Sequence, residues 1–141
     1  MEAIVAVGLL ATAAVALASL SSIAIRANSL ARERTLAALY TSQKLEALSH
    51  RPAALVPSPS DTLTRDADGF VEHLDGGGRH AAPRDGFLFV RRWQVTALPQ
   101  DPELVRITVE VTPCRRSGPG GACRDASARV QLSTVRSRLV W

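Results

Sequence analysis

From Ala3 to Ile25 the chain carries no charged residue, and its polar positions are confined to Thr12, Ser19, Ser21 and Ser22. One glycine, Gly8, and no proline falls inside this run. At about 1.5 Å rise per residue such a run makes a helix of roughly 34 Å, enough for a hydrocarbon core of about 30 Å. No stop follows Ile25. Neither Gly nor Pro occurs between Arg26 and Pro52, and the stretch is rich in strong helix formers. Ala38, Thr41, Leu45 and Leu48 recur at three-to-four spacing and predict one packing face. The pattern therefore predicts one helix from about Glu2 to about Ser49, apolar all round over 3–25 and amphipathic over 26–49, within an N-terminal region 1–50.

The periodicity changes after the helix. Pro52, Pro57 and Pro59 end it and predict an extended linker and loop over 51–69. A short strand is expected over Gly69–Asp75, and Gly76, Gly77 and Gly78 begin a loop running to about Gly86. The glycine triplet lacks the Lys and Ser or Thr of a phosphate loop. Three stronger strand patterns follow. Phe87 to Ala97 sets Phe87, Phe89, Trp93 and Val95 on one face, and a turn is predicted over Pro99 to Glu103. Val105, Ile107, Val109 and Val111 then alternate with Arg106, Thr108, Glu110 and Thr112. Ala128 to Arg136 alternates again, with Val130 and Leu132 inward. A helix followed by a meander predicts an α+β fold, a small antiparallel sheet over 70–141 packed on the amphipathic half of the helix.

The chain has 141 residues, and much of its apolar content lies in the first 25, so the remaining core is small and needs a helix or a disulfide to support it. Cys114 and Cys123 bracket a Gly/Pro-containing loop between the last two predicted strands. An even pair there reads as a disulfide in an oxidising compartment, or as two unpaired thiols in a cytosolic protein; the N-terminal run decides between them. The net charge of +4 comes almost wholly from arginine, with Lys44 the only lysine. These arginines are scattered and form no basic run interleaved with aromatics, so no nucleic-acid partner is expected. The N-terminal run itself has three readings. It is a cleaved signal peptide, for which Ala16-Leu17-Ala18 resembles a cleavage site but Glu2 stands where a basic flank belongs. It is a plain transmembrane anchor. Or it is a pilin-type helix.

Residues 1–10, a lone glutamate at Glu2 opening an apolar run, resemble the start of type IV pilin and pseudopilin helices. Residues 31–34 and 42–48 are similar to minor subunits of the I/V type: the minor pseudopilin I of type II secretion and the type IV pilus modification pilin. The resemblance covers residues 1–50. It implies a long helix on a small β domain, and a minor structural subunit held in the inner membrane as a single-pass protein with its globular domain in the periplasm. That subunit is then incorporated into, or primes, a type IV pilus-like or type II secretion filament. Its implied partners are other pilin or pseudopilin subunits, met through the N-terminal helix, and the inner membrane before assembly. Glu2 matches the glutamate thought to neutralise a neighbouring subunit's terminal amine during assembly, since a carboxylate in a low-dielectric layer needs an opposite charge. The other reading of Glu2 is an exposed acid suited to a helix N-terminus. Family members carry a basic leader ending in Gly, then Phe-Thr-Leu or similar, ahead of the glutamate. Here Met1 takes the position just before it, so that leader lies upstream, has been trimmed, or has been lost.

No enzyme is expected. His50, His73 and His80 show no metal spacing, and Asp66-Ala67-Asp68-Gly69 resembles only a fragment of a calcium loop, better read as turn residues. No metal or cofactor is expected. The alternative function is a signal-anchored periplasmic binding module with no filament role, in which Glu2 does nothing specific.

Overall fold

The computed structural model describes residues 2–50, 55–82, 87–114, 123 and 128–137. Helix α1 spans Glu2–Ser49, as the unbroken run of helix formers predicts. Four strands follow: β1 (Val71–Leu74), β2 (Phe89–Leu98), β3 (Asp101–Pro113) and β4 (Val130–Ser137). They form one sheet in the order β1-β2-β3-β4, with every neighbouring pair antiparallel. This is an α+β, pilin-like arrangement of one long N-terminal helix and an antiparallel meander. The chain divides into two compact units, Met1–Arg32 and Glu33–Trp141.

In the second unit, the helix turns from Glu33 onward lie against one face of the sheet. The register sets Glu72 and Leu74 on that face from β1, and Phe89, Arg91, Trp93 and Val95 from β2. Val105, Ile107, Val109 and Val111 of β3 join them, each fully buried, as the alternation predicts. Two apolar clusters form there. Leu55, Trp93, Val95, Val105, Ile107 and Val109 pack with Leu45, Leu48 and Phe70. Ala37, Tyr40, Leu74, Phe89 and Val111 pack with Leu36 and Val130.

Several details differ from the sequence pattern. The packing face of α1 holds Ala37 and Tyr40 with Thr41, Leu45 and Leu48, while Ala38 is exposed. One residue rotates a helix position by about 100°, since a turn takes about 3.6 residues, so Ala38 falls outside the face that Ala37 shares with Thr41. Phe87 precedes β2 and rests on the His73 ring, centroids 4.4 Å apart, instead of joining the core. Strand β3 begins at Asp101, so the turn is confined to Pro99 and Gln100, and the ladder irregularity falls between Ala97 and Leu98. Thr108, Glu110 and Thr112, expected to face solvent, are buried. Leu132 stands opposite Val109 on the inner face, as expected, but at the sheet margin it stays 39% exposed.

The linker is docked where it is described. Leu55 is in the core, Thr62 is fully buried, and the Ser58 N–H donates to the Val95 carbonyl at 3.0 Å while the Val95 N–H donates to the Ser58 hydroxyl at 2.9 Å. Cys114 and Cys123 are joined in a disulfide. Residues 115–122, between them, lie outside the described residues, as do Pro52 and the end of the glycine loop at Gly86.

Candidate functional site

The described residues of the first unit are all helical. Val5, Leu9, Leu10, Val15, Leu17, Leu20, Ile23 and Ile25 are each more than three-fifths exposed. Burying that much apolar surface is favourable by roughly 1.5–3 kcal/mol per large side chain. The polar members do not interrupt it. Thr12 donates to the Leu9 carbonyl at 2.8 Å, Ser19 to Ala16 at 2.7 Å, Ser21 to Leu17 at 2.9 Å and Ser22 to Ser19 at 2.7 Å. Every one of these hydroxyls is thus satisfied by the helix's own backbone. By length and composition the helix is able to cross a membrane. Glu2 lies in its first turn and is exposed, where a carboxylate suits the positive end of the helix dipole.

The second unit contains a charged layer between the two apolar clusters. On β2, Arg91 sits between Phe89 of one cluster and Trp93 of the other. Glu72 is its register partner on β1. The Arg91 Nε donates to Glu72 Oε2 at 2.7 Å, a second guanidinium nitrogen also donates to Oε2, and the third reaches the Tyr40 carbonyl at 3.2 Å. Lys44 on α1 donates to Glu72 Oε1 at 2.6 Å and lies 3.7 Å from the centroid of the Trp93 ring. Burial raises the Glu72 carboxyl. The hydrogen bonds and charges of Lys44 and Arg91 outweigh it and hold the group below the usual carboxylate range. The lone lysine of the chain therefore joins the helix to the sheet. Sequence alternation pointed to Arg91 only by its parity with Phe89 and Trp93, and nothing pointed to Glu72 or Lys44.

Beside this layer, Tyr40 packs edge-on against Phe89, centroids 5.3 Å apart, and its hydroxyl donates to the Gly76 carbonyl at 3.0 Å. The glycine triplet is thus a tight turn against the helix. Asp75 Oδ1 accepts from the backbone N–H of Arg79 at 2.9 Å and of Gly77 at 2.8 Å. The hydrogen bond from Arg79, then that from Gly77, lowers the Asp75 carboxyl.

The remaining residues singled out in the sequence occupy separate places. His50 faces Glu46 at 3.7 Å, and His80 faces Glu72 at 3.7 Å. Asp66 forms a forked ion pair with Arg92 through Oδ1, at 2.9 and 2.7 Å. Among the described residues, no three His, Cys, Asp or Glu side chains gather as a metal site would require. The chain matches no protein-family model, and no curated protein or solved structure matches it either.

Proposed function

We propose that the chain is a minor structural subunit, a pilin or pseudopilin, of a type IV pilus-like or type II secretion filament. One observation carries the reading. A single unbroken helix is apolar and exposed over its first part, and over its second part it carries a small disulfide-bonded antiparallel domain. The apolar part suits residence in the inner membrane as a single-pass anchor, with the domain in the oxidising periplasm. The same surface then suits bundling with the helices of other subunits once the chain leaves the lipid. Glu2 acts as the assembly residue, its carboxylate neutralised by a neighbour's terminal amine in the low-dielectric layer. The chain works by assembly and not by catalysis.

Mild crosslinking of membranes, capture of the chain and mass spectrometry of what comes with it test this reading. Other pilin-like subunits are expected with the native chain and are lost with Glu2→Ala, while the β domain of the variant stays folded. Capture of no such subunits with the native chain would overturn the filament reading. Their equal capture with Glu2→Ala would remove Glu2 from the mechanism.

A further inference from the structure

The charge that follows the uncharged run is one-sided. No acid lies between Glu2 and Glu33, while Arg26 stands directly after Ile25 and Arg32 comes later in the same turns. Both arginines are exposed on α1, and so is Ser29, midway between them. Residues three apart on a helix are neighbours, with Cβ atoms about 5–6 Å from one another, so Arg26, Ser29 and Arg32 form one oblique row on the surface. Glu33 follows Arg32 in sequence but lies about 100° away around the helix. Among the described residues no carboxylate pairs with Arg26 or Arg32. The Ser29 hydroxyl makes no hydrogen bond among them either, unlike those of Thr12, Ser19, Ser21 and Ser22.

Depth selects the partner of this row. The uncharged run makes roughly 34 Å of helix against a hydrocarbon core of about 30 Å, and each headgroup layer adds roughly 5–8 Å. Arg26 therefore falls at the edge of the core. Arg32, about 9 Å further along the axis, falls at the outer limit of the headgroups. Helical side chains lean toward the N-terminus, so Arg32 leans back toward Ser29 and the lipid phosphates. A guanidinium is a planar fork that suits phosphate oxygens, and both cations here are arginine. Positive residues beside a membrane span ordinarily lie on the cytoplasmic side. On the reading proposed above they lie on the opposite side, with the disulfide-bonded domain, so orientation during insertion gives no account of them.

We propose that Arg26, Ser29 and Arg32 form a headgroup site for an anionic phospholipid, the two guanidiniums and the hydroxyl closing on one phosphodiester at the membrane surface from which the chain continues toward its β domain. Phosphatidylcholine offers the same phosphodiester, but its trimethylammonium repels the two arginines, so the site prefers a headgroup with net negative charge. Binding also fixes the depth of the anchor: sliding by one turn, about 5.4 Å, would draw Arg26 into hydrocarbon or carry Arg32 clear of the phosphates. The proposal rests on the membrane-anchor part of that reading and is independent of the filament.

The test uses the full chain in phosphatidylcholine vesicles and two spin-labelled probes, phosphatidylglycerol and phosphatidylcholine labelled at the same acyl carbon. Lipid held against the helix gives an immobilised component in the spectrum. Phosphatidylglycerol is expected to be held about fivefold more strongly, the equivalent of roughly 1 kcal/mol. Arg26→Gln with Arg32→Gln should bring the ratio to about one. Arg106→Gln with Arg136→Gln, which removes the same charge from exposed positions on the sheet, should leave it unchanged. Arg26→Lys with Arg32→Lys should keep only part of the preference, and added salt should weaken it. A native ratio of about one in a chain that floats with the vesicles would overturn this proposal alone. A preference that survives the helix pair of substitutions, or falls equally with the sheet pair, would overturn it by making net charge the cause. Failure of the chain to float with the vesicles would overturn the membrane anchor and the site together.

Discussion

Glu72 and Arg91 stand opposite one another in the β1–β2 ladder, and Glu72 also receives Lys44 from the helix. One carboxylate therefore joins three elements that are far apart in sequence. The charged layer also fixes how α1 lies along the sheet. Sliding the helix by one turn, about 5.4 Å, would separate Lys44 from both Glu72 and the Trp93 ring and place an apolar residue on the charges. Apolar packing alone gives little such directional preference.

Removing that carboxylate should be costly. Glu72→Ala leaves Lys44 and Arg91 facing each other in a largely dry site, and breaking such a group from one side destabilises by about 3 kcal/mol or more. Urea unfolding of the full chain in neutral micelles, followed by near-ultraviolet dichroism, should show the midpoint falling with an unchanged slope. Arg65→Ala, at an exposed pair with Asp61, should lose less than about 1 kcal/mol in the same assay.

Acid should loosen the same layer. The Glu72 carboxyl is lowered on folding, so between the folded and unfolded values the unfolded chain binds more protons. Its contribution is fully present above the unfolded value, about 4.3, and is lost as pH falls through the folded value. Stability measured from pH 6 down to pH 3 should fall, and Glu72→Gln should fall less steeply over the same range. Equal slopes would show that other carboxylates carry the acid response.

Gly78 and Gly69 both have positive φ, +77° and +80°, but their surroundings differ. A Cβ at Gly78 would come within 2.6 Å of the Tyr40 ring, whereas one at Gly69 would meet nothing within 4 Å. Gly69→Ala should cost only the backbone strain, about 1 kcal/mol. Gly78→Ala should cost about 2 kcal/mol or more, because the ring that it displaces also packs on Phe89 and holds the Gly76 carbonyl. Thermal melts of the two variants side by side would separate strain from collision.

The Cys114–Cys123 bridge closes a short loop, with a separation of nine residues. Loss of it through Cys114→Ser with Cys123→Ser should lower stability by about 2–3 kcal/mol through the freed unfolded chain. The native chain under reductant should reproduce the shift, and the double variant should not respond to reductant.

The helix, the meander and the inward positions of β3 were legible because each rests on a repeat that sequence displays directly: an uncharged run, and strict alternation from Val105 to Val111. The pairing of Cys114 with Cys123 was legible as one of two readings. The charged layer was not, because Lys44, Glu72 and Arg91 are ordinary surface types, and their meeting depends on strand register and helix rotation. The burial of Glu110 and Thr112 escaped for a related reason. Alternation shows that a residue faces away from the helix, but not whether something else covers it. Phe87 was misplaced because an aromatic at the right parity reads as a strand residue even where the ladder begins two positions later.

The four hydroxyls of the uncharged run, residues 3–25, have a consequence for how freely that segment changes surroundings. Since Thr12, Ser19, Ser21 and Ser22 all donate to carbonyls three or four residues back, none of them asks anything of the medium outside. Exchange of lipid tails for protein side chains around the segment breaks no hydrogen bond, and acyl chains are about as apolar as leucine. The segment is thus close to indifferent between the two solvents; on the proposed filament reading, packing contacts at its surface, and not polar rearrangement within it, would set the direction of transfer.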